Sequence, residues 1–176
     1  MKNPFTALKK DKLVLIDLFK EELRDIYGAE QQLAEALPRM KEAATSQDLA
    51  LAFEDHLQVT QDQIKRLEKV FELLNEKPDS KKCKGVAGLI AEAEEVIKET
   101  TEGTATRDVG LIISAQKVEH YEIAAYGSLR QLAMSISSEI SALLEETLQE
   151  EKETDMLLSN LADMMINADA QKEDQD

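Results

Sequence analysis

The sequence predicts an all-α fold, a bundle of four long helices with a short fifth helix between the second and third. Three observations carry that prediction. Apolar residues recur at steps of three and four through four long stretches, the spacing of one buried helix face. Only six glycines and three prolines interrupt 176 residues, and Ala, Leu, Glu and Lys are abundant, a mixture that favours helix. No alternating apolar run bounded by turn residues argues for strands. The length suits a single domain over residues 1–176, with an ordered core at about 13–166 and a polar, frayed tail at 167–176.

The first helix is predicted over Leu13 to Ala44, where Leu23, Ile26, Glu30, Leu33, Leu37 and Met40 form one stripe. Pro38 lies inside it and should kink it, because proline lacks a backbone donor and crowds the preceding turn. Thr45-Ser46-Gln47-Asp48 breaks the pattern, with Ser46 as the N-cap of a second helix. That helix presents Leu49, Phe53, Leu57, Ile64, Leu67, Phe71 and Leu74, and ends near Asn75. A short amphipathic helix follows from about Val86 to Glu99. Gly103 separates it from a helix over Thr106 to Met134, and the last helix begins after Ser135-Ile136-Ser137 and runs to about Ile166. Two tight hairpins joined by one long crossover describe a ferritin-like bundle, since simple up-down bundles use short loops throughout.

With 36 acidic and 21 basic residues the formal net charge is −15. Phosphate backbones and anionic membrane surfaces should repel such a chain, so neither nucleic acid nor membrane is an expected partner. Cys83 is the only cysteine and has no intrachain partner. Residues Met1 to Lys12 have no continuous apolar core, so no secretory signal is expected and the expected compartment is the cytoplasm. Beside Lys81, Lys82 and Lys84, Cys83 reads as a bystander thiol. Met156, Met164 and Met165 read as packing residues.

Chemistry is signalled by acids on apolar stripes. Glu30, Glu119 and the Glu150/Glu151 pair stand where helix periodicity asks for hydrophobic side chains. An isolated buried carboxylate is costly, so each such position implies a proton, a charged partner or a metal. A rise of about 1.5 Å per residue allows depth to be counted from each hairpin turn. Glu30 then lies opposite Thr60 to Asp62, with His56 one turn nearer the hairpin. Glu122 faces Glu151, and Glu119 faces Thr154 and Asp155. Glu119 and Glu122 are three apart and share a helix face, whereas His120 points elsewhere. The alternative for Glu30 is a protonated core acid bonded to Thr60 or Gln63, and Tyr126 reads first as core packing. The familiar dimetal layout pairs glutamates with Glu-x-x-His motifs. This chain has none, so a site here is carboxylate-rich with His56 as its one imidazole candidate, the alternative being a satisfied interior histidine. Such donors suit iron or manganese.

Tyr27-Gly28-Ala29-Glu30-Gln31-Gln32-Leu33, Lys82-Cys83, and Gln116-Lys117-Val118-Glu119-His120-Tyr121-Glu122 resemble the YciE/YciF family of ferritin-like proteins. Glu145-Glu146-Thr147-Leu148 and Glu150-Glu151-Lys152 extend the likeness, which covers Leu13 to Ala162. The resemblance implies a homodimer of five-helix subunits, a bundle similar to rubrerythrin and manganese catalase, and an association with stress. It implies Glu30, Glu119, Glu122 and Glu150 or Glu151 as ligands of a dinuclear iron or manganese centre acting on peroxide or dioxygen. One departure stands out. Relatives tend to carry His-Leu-Glu-Glu-Thr on the second helix, where this chain reads His56-Leu57-Gln58-Val59-Thr60. Val59 removes an acid near the depth of Glu30, and Asp62 is the residue that would compensate. Without compensation, the alternative is a non-enzymatic stress or interaction protein with a degenerate or empty site.

Overall fold

Six α-helices and one π-helical turn make up most of the described residues in a computed structural model that describes residues 14–173. They are α1 (Leu15–Ala43), α2 (Gln47–Leu73), α3 (Lys84–Glu99), α4 (Ala105–Ala133), α5 (Ser138–Leu161), the π-helical turn Ala162–Ile166, and α6 (Asn167–Glu173). Apart from the start of the first helix, boundaries expected from periodicity hold to within two residues for the first four helices. The expected start at Leu13, the segment Met1 to Lys12 and residues 174–176 lie outside the described residues. Pro38 lies inside α1, which continues through it to Ala43.

Side chains at the helix starts explain where the chain turns. The Ser46 hydroxyl accepts from Leu49 N at 3.4 Å, Thr104 from Arg107 N at 3.2 Å, and Ser137 from Ile140 N at 3.4 Å. Each satisfies one of the orphan donors of a first helical turn. At α3 the thiol of Cys83 takes that place, 3.5 Å from Val86 N. Asn75 closes α2 in the left-handed region, at φ 54°, which asparagine tolerates better than most residues.

The hairpins α1–α2 and α4–α5 pack on each other through α1 against α4 and α2 against α5, with α3 lying along α1 and α4. Asp108, near the start of α4, sets their relative direction. Its two carboxylate oxygens accept from Thr45 N and Ser46 N, both at 2.7 Å, so the first hairpin turn abuts the beginning of α4. Helices α2 and α4 therefore run parallel, and the crossover carrying α3 returns the chain along the bundle. This is the ferritin-like arrangement that the one long connection predicted.

Gly28 lets that crossover lie close. A Cβ on Gly28 would stand 1.9 Å from the carbonyl oxygen of Lys81, while Lys81 N donates to Arg24 O at 3.2 Å. No side chain fits between helix and strap at this point.

The interior is divided. Phe19, Leu23, Leu67, Phe71, Leu129 and Ile140 anchor one apolar cluster. Leu37, Leu49, Phe53, Leu111, Leu158 and Ile166 anchor another, at the hairpin-turn end of α1 and α2. Between them, at matching depth on α2, α4 and α5, stand buried polar side chains: His56, Thr60, Gln63, Glu119, Glu122 and Glu151. Glu30 of α1 is buried with them.

Two expectations are corrected. The tail beyond Asn167 is not frayed through Glu173. It is helical because Ile166 packs into the second cluster and Glu173 caps α4, accepting from Ala105 N at 2.6 Å and Thr106 N at 3.0 Å. A carboxylate at a helix N-terminus is favoured by both hydrogen bonding and the helix dipole. Met156, Met164 and Met165 are not packing residues. All three are exposed, because Leu158 and Ile166 occupy the inward positions of this stretch.

Two substitutions test the frame. Asp108→Ala strands two backbone donors at the hairpin turn and should destabilise the fold by roughly 2–4 kcal/mol in urea unfolding. Gly28→Ala forces the strap away from α1 and should cost roughly 1–3 kcal/mol in the same measurement.

Candidate metal centre

All four long helices contribute to the polar layer. Helix α4 supplies Glu119 and Glu122, whose three-residue spacing aims both inward, α5 supplies Glu151, and α2 supplies His56. One ligand atom from each of these four buried residues lies within 4.8 Å of the others. His56 Nδ1 is 3.4 Å from Glu119 Oε1. Glu30, from α1, stands beside this group and is held by the buried Tyr126, whose hydroxyl donates to Glu30 Oε1. Gln63 Nε2 donates to Glu151 Oε1 at 2.5 Å and to Glu150 Oε2 at 3.1 Å.

What the layer lacks is donors. Glu30 Oε2, Glu119 Oε2, both oxygens of Glu122 and Glu151 Oε2 are buried without a hydrogen-bond partner, as are Thr60 Oγ1 and Gln63 Oε1. Buried oxygens of this kind are ordinarily paired. With ligand atoms of His56, Glu119, Glu122 and Glu151 within 4.8 Å of one another, the layer meets the requirement of a cation site: oxygen atoms close together, with few protein donors competing for their lone pairs.

The electrostatics agree. Burial, reinforced by Glu151, pushes Glu30 and Glu119 well above the usual carboxylate range. Burial and the charge of Glu30 do the same to Glu122. Glu151 is pushed up to about 7 by burial, partly offset by hydrogen bonds from Glu119 and Gln63. Burial pushes His56 down to about 4. The imidazole is therefore neutral at pH 7, and its contact with Glu119 is not an ion pair. Four carboxyl groups this close and this dry cannot all ionise unless positive charge joins them. Protons or metal ions are the two ways to supply it, and the donor set fits iron or manganese.

The residues expected from sequence divide clearly. His56, Glu119, Glu122 and Glu151 come together, with Glu30 at their side. Glu150 does not join them; it lies toward the surface, gripped by Arg66 through Nη1 and Nη2, each at 2.8 Å. Asp62 does not compensate for Val59, because it is exposed and paired with Lys65 at 2.7 Å. Glu30 pairs with Tyr126 rather than with Thr60 or Gln63. Glu119, expected by depth counting to face Thr154 and Asp155, lies with Glu122 beside Glu151. His120 is exposed, with Nε2 3.4 Å from Asp155. Cys83 is buried, and its thiol lies 3.1 Å from the Tyr121 hydroxyl. Burial raises its pKa, against activation by the adjacent lysines.

Three supporting roles are not specified by the sequence. Tyr126 is seven residues beyond Glu119 on the same stripe, a position that reads first as core packing and only second as a donor, and the structure makes it a donor to Glu30. Gln63, on the inner face of α2 and expected as a candidate partner of Glu30, instead donates to Glu151 and Glu150. Arg66, one turn further, also donates to Thr147 at 2.7 Å and Glu146 at 2.9 Å. The acid-rich run on α5 was the only hint of such a cation.

Comparison with known proteins places this arrangement. The domain of unknown function DUF892 matches residues 14–171. Protein YciF of Escherichia coli strain K12 is 46% identical over 157 residues, 88% of this chain and 94% of that one. The chain belongs to the DUF892 (YciF) family. The crystal structure of the E. coli stress protein YciF superposes with a TM-score of 0.81, covering 86% of this chain and 96% of that one. YcfI from Rhodopseudomonas palustris, 41% identical, gives a TM-score of 0.82 over 87% of this chain and 98% of that one. A Xanthomonas campestris protein at 21% identity and TM-score 0.69 shares the fold. No helix among the described residues is long and apolar enough to cross a membrane.

The carboxylate layer has a signature in metal-free protein. A carboxyl whose folded pKa is raised contributes stability that is full below its unfolded value and lost as pH rises through the folded value. His56, with its pKa lowered, contributes stability that is full above its unfolded value and lost as pH falls toward 4. Four carboxyls outweigh one imidazole, so chelator-treated protein should lose stability between pH 5 and pH 8. Glu122→Gln removes one buried charge in a nearly isosteric way. It should raise stability at pH 8 by roughly 1–3 kcal/mol, and by less at pH 5, in denaturant unfolding at both pH values.

Proposed function

We propose that this chain is a ferritin-like, stress-associated protein whose Glu30, His56, Glu119, Glu122 and Glu151 hold a dinuclear iron or manganese centre. The observation that carries the reading is the meeting of His56, Glu119, Glu122 and Glu151 ligand atoms within 4.8 Å, beside Glu30, with a carboxylate oxygen of each of the four glutamates buried without a hydrogen-bond partner. When bound, two such ions would supply Lewis acidity and redox capacity toward the O–O bond of peroxide or dioxygen. The chain's own residues do the rest. Tyr126 holds Glu30 by one oxygen and leaves the other free, and Gln63 does the same for Glu151. His56, neutral at pH 7, offers an imidazole lone pair. The apolar clusters on either side exclude water and so strengthen every charge interaction within the layer. In this reading the protein works as a homodimer in the cytoplasm. The stress role extends to this chain what is said of the E. coli relative.

A second reading has its own support. Helix α2 brings one ligand candidate, His56, while Val59 is apolar and Asp62 turns to Lys65. A bundle kept after its chemistry was lost, acting as a non-enzymatic stress or interaction protein, accounts for that thin wall.

Metal analysis separates the two. After anaerobic reconstitution with Fe(II) or Mn(II) and removal of free metal, the first reading expects about two ions per chain. It also expects loss of nearly all of them, and of peroxide consumption, in Glu119→Ala/Glu122→Ala. Less than about one ion per chain in the unaltered protein, with peroxide consumption near zero, favours the second reading. Light scattering tests the dimer.

A further inference from the structure

The polar layer is closed above and below by the two apolar clusters, but its flank is open. A cleft of about 200 Å³ lies between α2 and α5, lined by Asp55, His56, Val59, Glu150, Glu153 and Thr154 among others. His56 belongs both to this cleft and to the inner cluster. Its side chain lines the cleft, it is itself only 7% exposed, and its Nδ1 is 3.4 Å from Glu119 Oε1. The larger groove on the other flank, between α1 and α4, is lined by Asp25 and Tyr121 but by no member of the cluster.

We propose that the α2/α5 cleft is the route by which divalent cations reach the buried carboxylates, with Val59 setting its width and Asp55 and Glu153 drawing the ion in. The proposal rests on the metal-binding reading above and assigns it a path. Size is adequate, since a water occupies about 30 Å³ in the liquid and the cleft accommodates an ion with part of its hydration shell. Charge is suited as well. Asp55 and Glu153 are exposed carboxylates at the mouth, and a concave opening lined by one sign of charge concentrates the opposite ion. Arg66 faces Glu150 and Glu146, so its charge is already matched. Behind the mouth, half-buried Val59 offers no ligand atom. The other carboxylate lining the cleft, Glu150, is already held by Arg66. An acid in place of Val59 would be a stopping point; a valine is a passage.

The test is a loading rate. Metal-free full-length protein is mixed anaerobically with Mn(II), and free Mn(II) is followed by its electron paramagnetic resonance signal. The unaltered chain, Val59→Phe and the double variant Asp55→Asn/Glu153→Gln are compared. The proposal expects Val59→Phe to load about tenfold more slowly or worse. It expects the double variant to load several-fold more slowly and with a weaker dependence on ionic strength. Both should reach the unaltered final stoichiometry. Unchanged rates in both variants overturn the route while leaving the metal site standing. Lower final stoichiometry in Val59→Phe at an unchanged rate makes Val59 part of the site and also overturns it. No uptake by the unaltered chain removes the metal-binding reading itself, and the route with it. If circular dichroism shows Val59→Phe unfolded, the double variant decides, because its two positions are exposed.

Discussion

Burying four carboxyl groups in the middle of a helical bundle creates a problem that the rest of this molecule is arranged around. Each would be costly alone, and together they repel. The chain meets that cost with few donors: Tyr126 for Glu30 and Gln63 for Glu151. Glu122 has none at either oxygen. A fold optimised only for stability would fill this layer with leucine. That it keeps charge here, between two well-packed apolar clusters, is the physical basis for treating the layer as a site.

Such a layer works only if four helices arrive at one depth. The hairpins fix α1 to α2 and α4 to α5, but nothing in either hairpin sets its height against the other. Asp108 does so, by holding the first hairpin turn against the start of α4 through two backbone donors. The crossover follows the bundle because Gly28 leaves room for it. Arg66 ties α2 to α5 beside the layer and, by gripping Glu150, leaves Glu151 as the inward member of the pair. These contacts lie outside the cluster, yet its geometry depends on them.

Membership of the DUF892 (YciF) family accounts for the fold, while the make-up of the polar layer is read from this chain's own side chains. Its thinnest wall is α2. There Val59 and an outward Asp62 leave His56 as the only cluster member that the helix contributes. The same valine that thins the ligand set also lines the opening beside it.

Much of this was legible in the sequence. Periodicity revealed the helices because an apolar stripe must match the 3.6-residue turn whatever it packs against, and the long crossover selected the ferritin-like connection. The same periodicity exposed Glu30, Glu119 and Glu151, since an acid on a buried stripe breaks a local rule. It could not choose between Glu150 and Glu151. Adjacent residues differ by about 100° around a helix, and the choice fell to Arg66, a cation from another helix. Nor could it foresee the ordered tail, which depends on Glu173 reaching the first turn of α4 from 68 residues away. The sequence by itself determined which faces are buried and which acids lie on them, because those follow from neighbours a few residues apart. Only the tertiary structure decided which acids meet, which oxygens go without donors and where the layer opens. Those depend on side chains from separate helices, whose distances no local pattern encodes.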